Sequence, residues 1–160
     1  MPARYGSLAV LLLVVVAASY LAGSFEAGEW FYVKLSKPAW SPPGAVLGAG
    51  WALAYLLMAL AAWQVWLGGH YARLGAVTWW LLLILTVAWS ALFFGLHRIG
   101  WAWLELGLAL AIALFCIRAF RPLSKQAAWL MVPVLLWLGF IWVWNLVLWT
   151  TNGGPLARFL

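Results

Sequence analysis

The sequence predicts an all-α membrane protein, a bundle of five transmembrane helices with a long first loop acting as a lid. Of its 160 residues, 68% are hydrophobic and 8% are charged, whereas soluble domains are about half apolar and a quarter charged. The apolar residues form five continuous runs, each long enough to cross a bilayer. This composition excludes both a soluble globular domain and a disordered chain.

The five predicted helices cover about residues 7–23, 45–67, 74–96, 101–120 and 127–150, within one transmembrane domain of residues 1–160. Short polar breaks separate the last four helices, so these should pack antiparallel. The first run follows a basic residue and ends in small residues, so a signal peptide stays an alternative there. Ser19-x-x-x-Gly23 in the first helix and Gly44, Gly48 and Ala52 in the second are small-residue faces that predict close helix packing.

The charges suit a membrane rather than a nucleic acid. The formal net charge is +6, but the basic residues lie scattered at the ends of apolar runs, where they suit anionic headgroups. We therefore expect a lipid membrane and no nucleic acid as partner. The positive-inside rule predicts a cytoplasmic N-terminus. Cys116 is the single cysteine and neither histidine has a second ligand at metal spacing, so we expect no metal and no resident cofactor.

The one long connection is the loop Ser24–Pro43. It is rich in aromatic residues, and its prolines, Pro38, Pro42 and Pro43, make its second half stiff and extended. A stiff aromatic loop above a small bundle predicts a lid over a cavity between helices. An aromatic belt at the membrane interface is the alternative.

Three helices carry aromatic and polar residues at helical spacing, which predicts a pocket for a flat, largely apolar ligand. Helix packing is the alternative for each stripe. The stripes are Trp51, Tyr55 and Met58 in the second helix, Thr86, Trp89, Ser90 and Phe93 in the third, and Pro133, Trp137, Trp144 and Asn145 in the last. Glu105 is the one acid inside an apolar run, which indicates a proton relay or cation site or a solvated residue in a first helical turn.

These residues also form a recognisable pattern. The loop carries Phe31-Tyr32-x-x-Leu35-x-Lys37-Pro38-x-Trp40-x-Pro42-Pro43, and Trp51 and Tyr55-x-x-Met58 follow. The pattern continues through Trp89-Ser90-x-x-Phe93-Phe94-Gly95, Gly100-Trp101-Ala102 and Pro133-x-x-x-Trp137 to Asn145. Over about residues 7–152, the chain resembles the translocator protein family, also called tryptophan-rich sensory proteins or peripheral-type benzodiazepine receptors (TspO/MBR).

The resemblance implies a membrane receptor or sensor that binds porphyrins, such as protoporphyrin IX and haem, in a pocket inside the bundle. It implies a role in tetrapyrrole regulation or stress response, a homodimer, and isoquinoline carboxamide or benzodiazepine-type drugs as further ligands. We expect the bacterial inner membrane as its location. The resemblance matches Trp51 and Trp137 to pocket tryptophans, and Tyr32, Pro42, Trp89, Phe93 and Asn145 to other pocket or lid positions. The loop and the stripes add Trp40, Tyr55 and Thr86 to the expected ligand-binding residues.

Two alternatives and three departures accompany this resemblance, and one departure is Phe31, where many family members carry tryptophan. One alternative is an enzyme that degrades porphyrin with light or oxygen, in which Trp51 and Trp137 would be catalytic. The other is a porphyrin or lipid transporter that depends on Glu105. Thr86 stands where many family members carry asparagine, which weakens the expected drug contact. Val134 replaces the tyrosine of the usual sterol-recognition pattern, so the case for cholesterol as a ligand is weak.

Overall fold

The structure is a computed structural model that describes residues 2–25, 27–66 and 73–154. Its helices are α1 (Pro2–Gly23), α2 (Gly44–Trp66), α3 (Arg73–Ser90, continued by a π-helical turn, Ala91–Gly95), α4 (Ile99–Phe120) and α5 (Lys125–Thr151). All five are long and apolar enough to cross a bilayer. The chain is therefore an integral, multi-pass membrane protein, and the predicted five-helix fold is confirmed.

The helix boundaries differ slightly from those expected. α1 begins at Pro2 rather than near residue 7, and α5 begins two residues early because Ser124 caps it by accepting a hydrogen bond from the Ala127 amide, 3.1 Å away. The expected end of the second helix, residue 67, lies outside the described residues. α1 packs into the bundle through the buried side chains of Leu11 and Val15.

The helices form a closed ring in the order α1, α2, α5, α4, α3. α5 packs against α4 and α2, α3 packs against α4, and α1 closes the ring by packing against both α2 and α3. Because consecutive helices run antiparallel, the loop Ser24–Pro43 lies at the same end of the bundle as the α3–α4 connection and the end of α5. The α4–α5 connection lies at the other end.

Aromatic rings lie directly on glycines where the helices approach closely. A methyl group added at these glycines would collide with a ring, so a larger residue does not fit there without a shift. Without a hydrophobic driving force in lipid, such close van der Waals packing is a main source of helix association. The glycine–ring pairs are Gly50 with Trp137, Gly75 with Phe120, and Gly100 with Trp149.

Two buried tryptophan indoles make polar links between helices. The Trp89 indole N–H donates to Asn145 Oδ1 (3.0 Å), and Asn145 Nδ2 donates to the Ile99 carbonyl (2.9 Å), so one amide joins α3, α5 and α4. The Trp79 indole N–H donates to the Met58 carbonyl (2.9 Å) and joins α3 to α2. These bonds satisfy polar groups that would be costly to leave unpaired in an apolar interior.

Replacing Asn145 by leucine should destabilise the bundle. The change keeps the side-chain volume but leaves the Trp89 indole N–H without its acceptor, so we expect a loss of about 1–2 kcal/mol in the free energy of unfolding. Unfolding in mixed detergent micelles, followed by circular dichroism, measures it. Thr150→Val is the control, because the Thr150 hydroxyl bonds only the Val147 carbonyl of its own helix among the described contacts. Equal stability of the two variants would contradict the bridging role of Asn145.

Candidate functional site

A cavity of about 220 Å³ lies between α1, α2 and the end of α3, beneath the long loop. Its walls are aromatic or small residues with a few hydroxyls. The lining residues are Ser19, Ala22 and Gly23 from α1; Phe25, Ala27, Phe31 and Tyr32 from the loop; Gly44, Leu47, Gly48, Trp51 and Tyr55 from α2; and Trp89, Ser90 and Phe94 from α3 and its π-helical turn.

A short π-helical turn of the loop, Trp30–Lys34, covers this cavity. Phe31 points inward and is buried, with its ring 5.4 Å from that of Phe94. The Tyr32 hydroxyl lies against Gly44, 2.9 Å from where a Cβ would be. The Lys37 ammonium lies 4.8 Å from the centre of the Phe31 ring and donates to the Phe31 carbonyl, which stabilises the turn. The predicted lid is thus an ordered turn over the cavity.

The second half of the loop is fastened to α5. Asn152, at the end of that helix, accepts from the Ser36 amide and donates from Nδ2 to the Ser36 carbonyl, both at 2.8 Å. The buried Trp144 indole N–H donates to the Ser41 hydroxyl at 2.9 Å. Side chains of α5 therefore hold the loop, although α5 contributes no residue to the cavity wall.

Trp51 is the centre of the aromatic wall. Its ring centre lies 5.3 Å from that of Trp89 and 6.1 Å from that of Tyr55, with interplanar angles near 30°. Trp89 in turn stacks on Phe93 at 5.2 Å and 22°. Aromatic pairs at these separations attract each other beyond simple burial, so the wall is a pre-formed surface for a flat ring system.

The structure brings four of the expected ligand-binding residues to the cavity, namely Tyr32, Trp51, Tyr55 and Trp89. Three others are buried behind its wall. Phe93 supports Trp89, Asn145 Oδ1 accepts a hydrogen bond from the Trp89 indole N–H, and the Thr86 hydroxyl donates to the Leu83 carbonyl of its own helix (2.8 Å). These three shape the wall without lining it.

The remaining three expected residues lie elsewhere. Trp40 is half-exposed and packs its ring against Phe140 of α5, 6.2 Å away. Pro42 is half-buried in the loop and outside the lining. Trp137 covers Gly50 in an outer groove between α2 and α5, and touches the cavity only through its contact with Trp51, 6.3 Å between ring centres.

The wall supplied by α1 was not expected from the sequence. Ser19 and Gly23 suggested a helix-packing face, and so did Gly44 and Gly48, yet all four line the cavity. Small residues leave space equally well for a neighbouring helix or for a ligand, so the pattern alone does not separate the two. The position of these residues in the sequence could have indicated the cavity, because Ser19 and Gly23 lie in the last turns of α1, next to the loop.

Among the residues that the structure describes, the lining of this cavity contains no charged side chain, and its polar groups include the hydroxyls of Ser19, Tyr32 and Ser90. Lys34 pairs instead with Glu29 on the exposed side of the loop, at 3.7 Å. Within the described part of the chain, no group of histidine, cysteine and acidic residues could hold a metal ion. The cavity is suited to a flat ligand whose buried part is uncharged.

Glu105 lies on α4, which contributes nothing to the cavity lining. Both of its carboxyl oxygens are buried, and neither has a hydrogen-bond partner among the described residues. This burial excludes the solvated position that its place near a helix start suggested. Transport that depends on Glu105 stays a prediction, and it would follow a route other than this cavity.

Replacing Asn152 by alanine should loosen the loop without unfolding the bundle. The Ser36 amide loses its acceptor, so its hydrogen exchange should become at least about tenfold faster, as expected for a local opening. Hydrogen–deuterium exchange of the detergent-purified protein measures this. Lys34→Ala, which removes the exposed ion pair with Glu29, should leave the Ser36 amide unchanged. Equal exchange in wild type and Asn152→Ala would show that this contact does not fasten the loop.

Comparison with known proteins agrees with this architecture. A model of the TspO/MBR family matches residues 9–150, a range that reaches all five helices. The human translocator protein is 36% identical, over 96% of this chain and 91% of its own; the Ovis aries translocator protein is 35% identical, over 89% and 88%. Tryptophan-rich protein TspO of Chlorobaculum tepidum is 29% identical, over 84% and 88%. The chain belongs to the TspO/MBR family.

Proposed function

We propose that the protein is a membrane receptor or sensor that holds a porphyrin in the cavity beneath the loop. The observation that carries this proposal is the aromatic-walled cavity, whose described lining is uncharged and in which Trp51, backed by the buried Trp89, offers a stacking surface under an ordered cover. Ligand pockets of this kind are mostly apolar, with few polar groups to fix orientation. Membership of the TspO/MBR family supports the same ligand class.

The size of the cavity has a consequence for binding. At about 220 Å³, it is smaller than the roughly 300–1,000 Å³ of typical small-molecule pockets. A porphyrin would therefore enter only when the turn Trp30–Lys34 lifts. Its two propionates would stay at the loop side, because the described lining offers no cation. Our candidate partners for them at that end of the bundle are Lys34 and Lys37 of the loop and Arg98, which lies in a separate groove beside the end of α5.

Several further properties belong to this proposal. Signalling of tetrapyrrole levels or of stress, a homodimeric state and the bacterial inner membrane as location are inferred from the family resemblance. Isoquinoline carboxamide or benzodiazepine-type drugs would compete for the same aromatic wall. Cholesterol is not included, since Val134 is buried in the bundle and the sterol-recognition tyrosine is missing there.

Filling the cavity should weaken ligand binding. Gly48 lines the cavity, and no atom lies within 4 Å of the place where its Cβ would be. We expect Gly48→Leu to fold normally and to bind protoporphyrin IX at least about tenfold more weakly, as judged by absorbance titration. Gly139→Leu on α5 is the matched control, because Gly139 has equally open space but is outside the cavity. Unchanged affinity in Gly48→Leu would place the ligand elsewhere.

The second candidate function is light- or oxygen-dependent porphyrin degradation. The observation that favours it is the contact of Trp51 with two further indoles, Trp89 at 5.3 Å and Trp137 at 6.3 Å between ring centres. An excited porphyrin stacked on Trp51 would find an electron donor there, with neighbouring indoles to share the positive charge. In this alternative, Trp137 acts through Trp51 rather than by touching the ligand.

Replacing Trp51 by phenylalanine separates catalysis from binding. The phenyl ring keeps a stacking surface, so the dissociation constant for protoporphyrin IX should change by less than about fivefold. If the protein is an enzyme, the light-dependent loss of the porphyrin absorbance bands should slow at least about tenfold. Trp142→Phe, outside the cavity and stacked on Trp103 at 5.3 Å, is the control. Stable porphyrin bands in the illuminated wild type would exclude the enzyme and leave the receptor as the remaining candidate function.

A further inference from the structure

A second cavity lies at the opposite end of the bundle, in a groove between the end of α4 and the start of α5. Its volume is about 410 Å³, larger than that of the aromatic cavity. Ile117 and Arg121 line it from the α4 side, and Lys125, Ala128, Trp129 and Val132 from α5. The aromatic cavity shares none of these residues.

The groove is cationic at one end and apolar along its length. Arg121 and Lys125 are exposed at its mouth, where the helices leave the membrane. Ala128 and Val132 follow on α5 at intervals of one turn, so the apolar floor runs about 10 Å into the bilayer. Trp129 is 72% exposed beside it, a position typical of an indole at the membrane interface.

The surroundings of this mouth are also cationic. Arg73 and Arg118 are exposed at the same end of the bundle. The structure describes two acidic residues, and both are far from the groove. Glu29 lies on the loop at the opposite end of the bundle, and Glu105 lies in the half of α4 nearer the loop. The positive-inside rule predicts that this end faces the cytoplasm, where anionic lipids give the membrane surface a negative potential.

We propose that this groove binds an anionic phospholipid, with its phosphate between Arg121 and Lys125 and one acyl chain along the floor formed by Ile117, Ala128 and Val132. Charge complementarity selects an anionic headgroup over a zwitterionic one, because the mouth has two cations and no acid among the described residues. The apolar floor selects a lipid over a free phosphate. Basic pockets between transmembrane helices bind lipid headgroups in this way.

The test compares two lipids that differ only in headgroup. The full-length protein in detergent is titrated with dioleoyl phosphatidylglycerol and with dioleoyl phosphatidylcholine, and bound lipid is counted by native mass spectrometry. We expect the wild type to prefer phosphatidylglycerol. Each cation replaced by glutamine should weaken its binding about fivefold, so Arg121→Gln with Lys125→Gln should remove the preference. Arg73→Gln is the control, since Arg73 is an exposed cation at the same end but outside the groove.

A second arm tests the apolar floor. Val132→Trp should fill the groove and weaken phosphatidylglycerol binding while both cations remain, and circular dichroism checks that the variant is folded. Glycerol 3-phosphate, which carries the headgroup charge without an acyl chain, should not displace the bound lipid. Equal binding of the two lipids, an equal loss in Arg73→Gln, or displacement by glycerol 3-phosphate would each overturn the proposal. This groove and the aromatic cavity lie at opposite ends, so the result is independent of porphyrin binding.

Discussion

Close packing of large rings on glycines is the constraint on which the bundle depends. In a bilayer, burial of apolar surface does not separate the inside of a bundle from its outside, so shape has to hold the helices together. Here Trp137 lies on Gly50, Trp149 on Gly100, and Phe120 on Gly75. These contacts join α5 to α2, α5 to α4, and α4 to α3, which are three of the five contacts in the ring. The few buried polar links, centred on Asn145, then fix how the helices are rotated about their axes.

This use of tryptophan for packing explains where the cavity lies. At the loop end of the bundle, Trp144 and Trp149 of α5 pack against the loop and α4, so α5 contributes nothing to the cavity wall. Trp144 is fully buried between the Phe31 and Phe93 rings, and its indole N–H holds Ser41. α1 is the least buried of the five spans, and its small residues face the cavity. The open side of the bundle is therefore where the side chains are smallest, between α1, α2 and α3.

The sequence was sufficient for the five spans, the covering loop and the wall formed by Trp51, Tyr55 and Trp89. Continuous apolar runs and helical spacing determine these features directly. The sequence was not sufficient for the direction in which each stripe points, because lipid and bundle interior are both apolar. Trp137 has the spacing of a pocket residue, yet its ring lies over Gly50 in an outer groove. Ser19 has the spacing of a packing residue, yet it lines the cavity. Only the neighbours of each residue in three dimensions decide between these outcomes.

Different parts of the loop cover the cavity and hold the loop to α5. The residues that cover the cavity, Phe31 and Tyr32, are distinct from Ser36 and Ser41, which are bound by α5. The covering turn can open as a local unit, at a free-energy cost lower than that of unfolding the bundle. In the receptor proposed above, the fastening of the loop would govern how long a ligand stays, whereas the aromatic wall would govern which ligand binds. A substitution at Asn152 would then change how long the proposed ligand stays, and so the duration of any signal, without changing the aromatic wall.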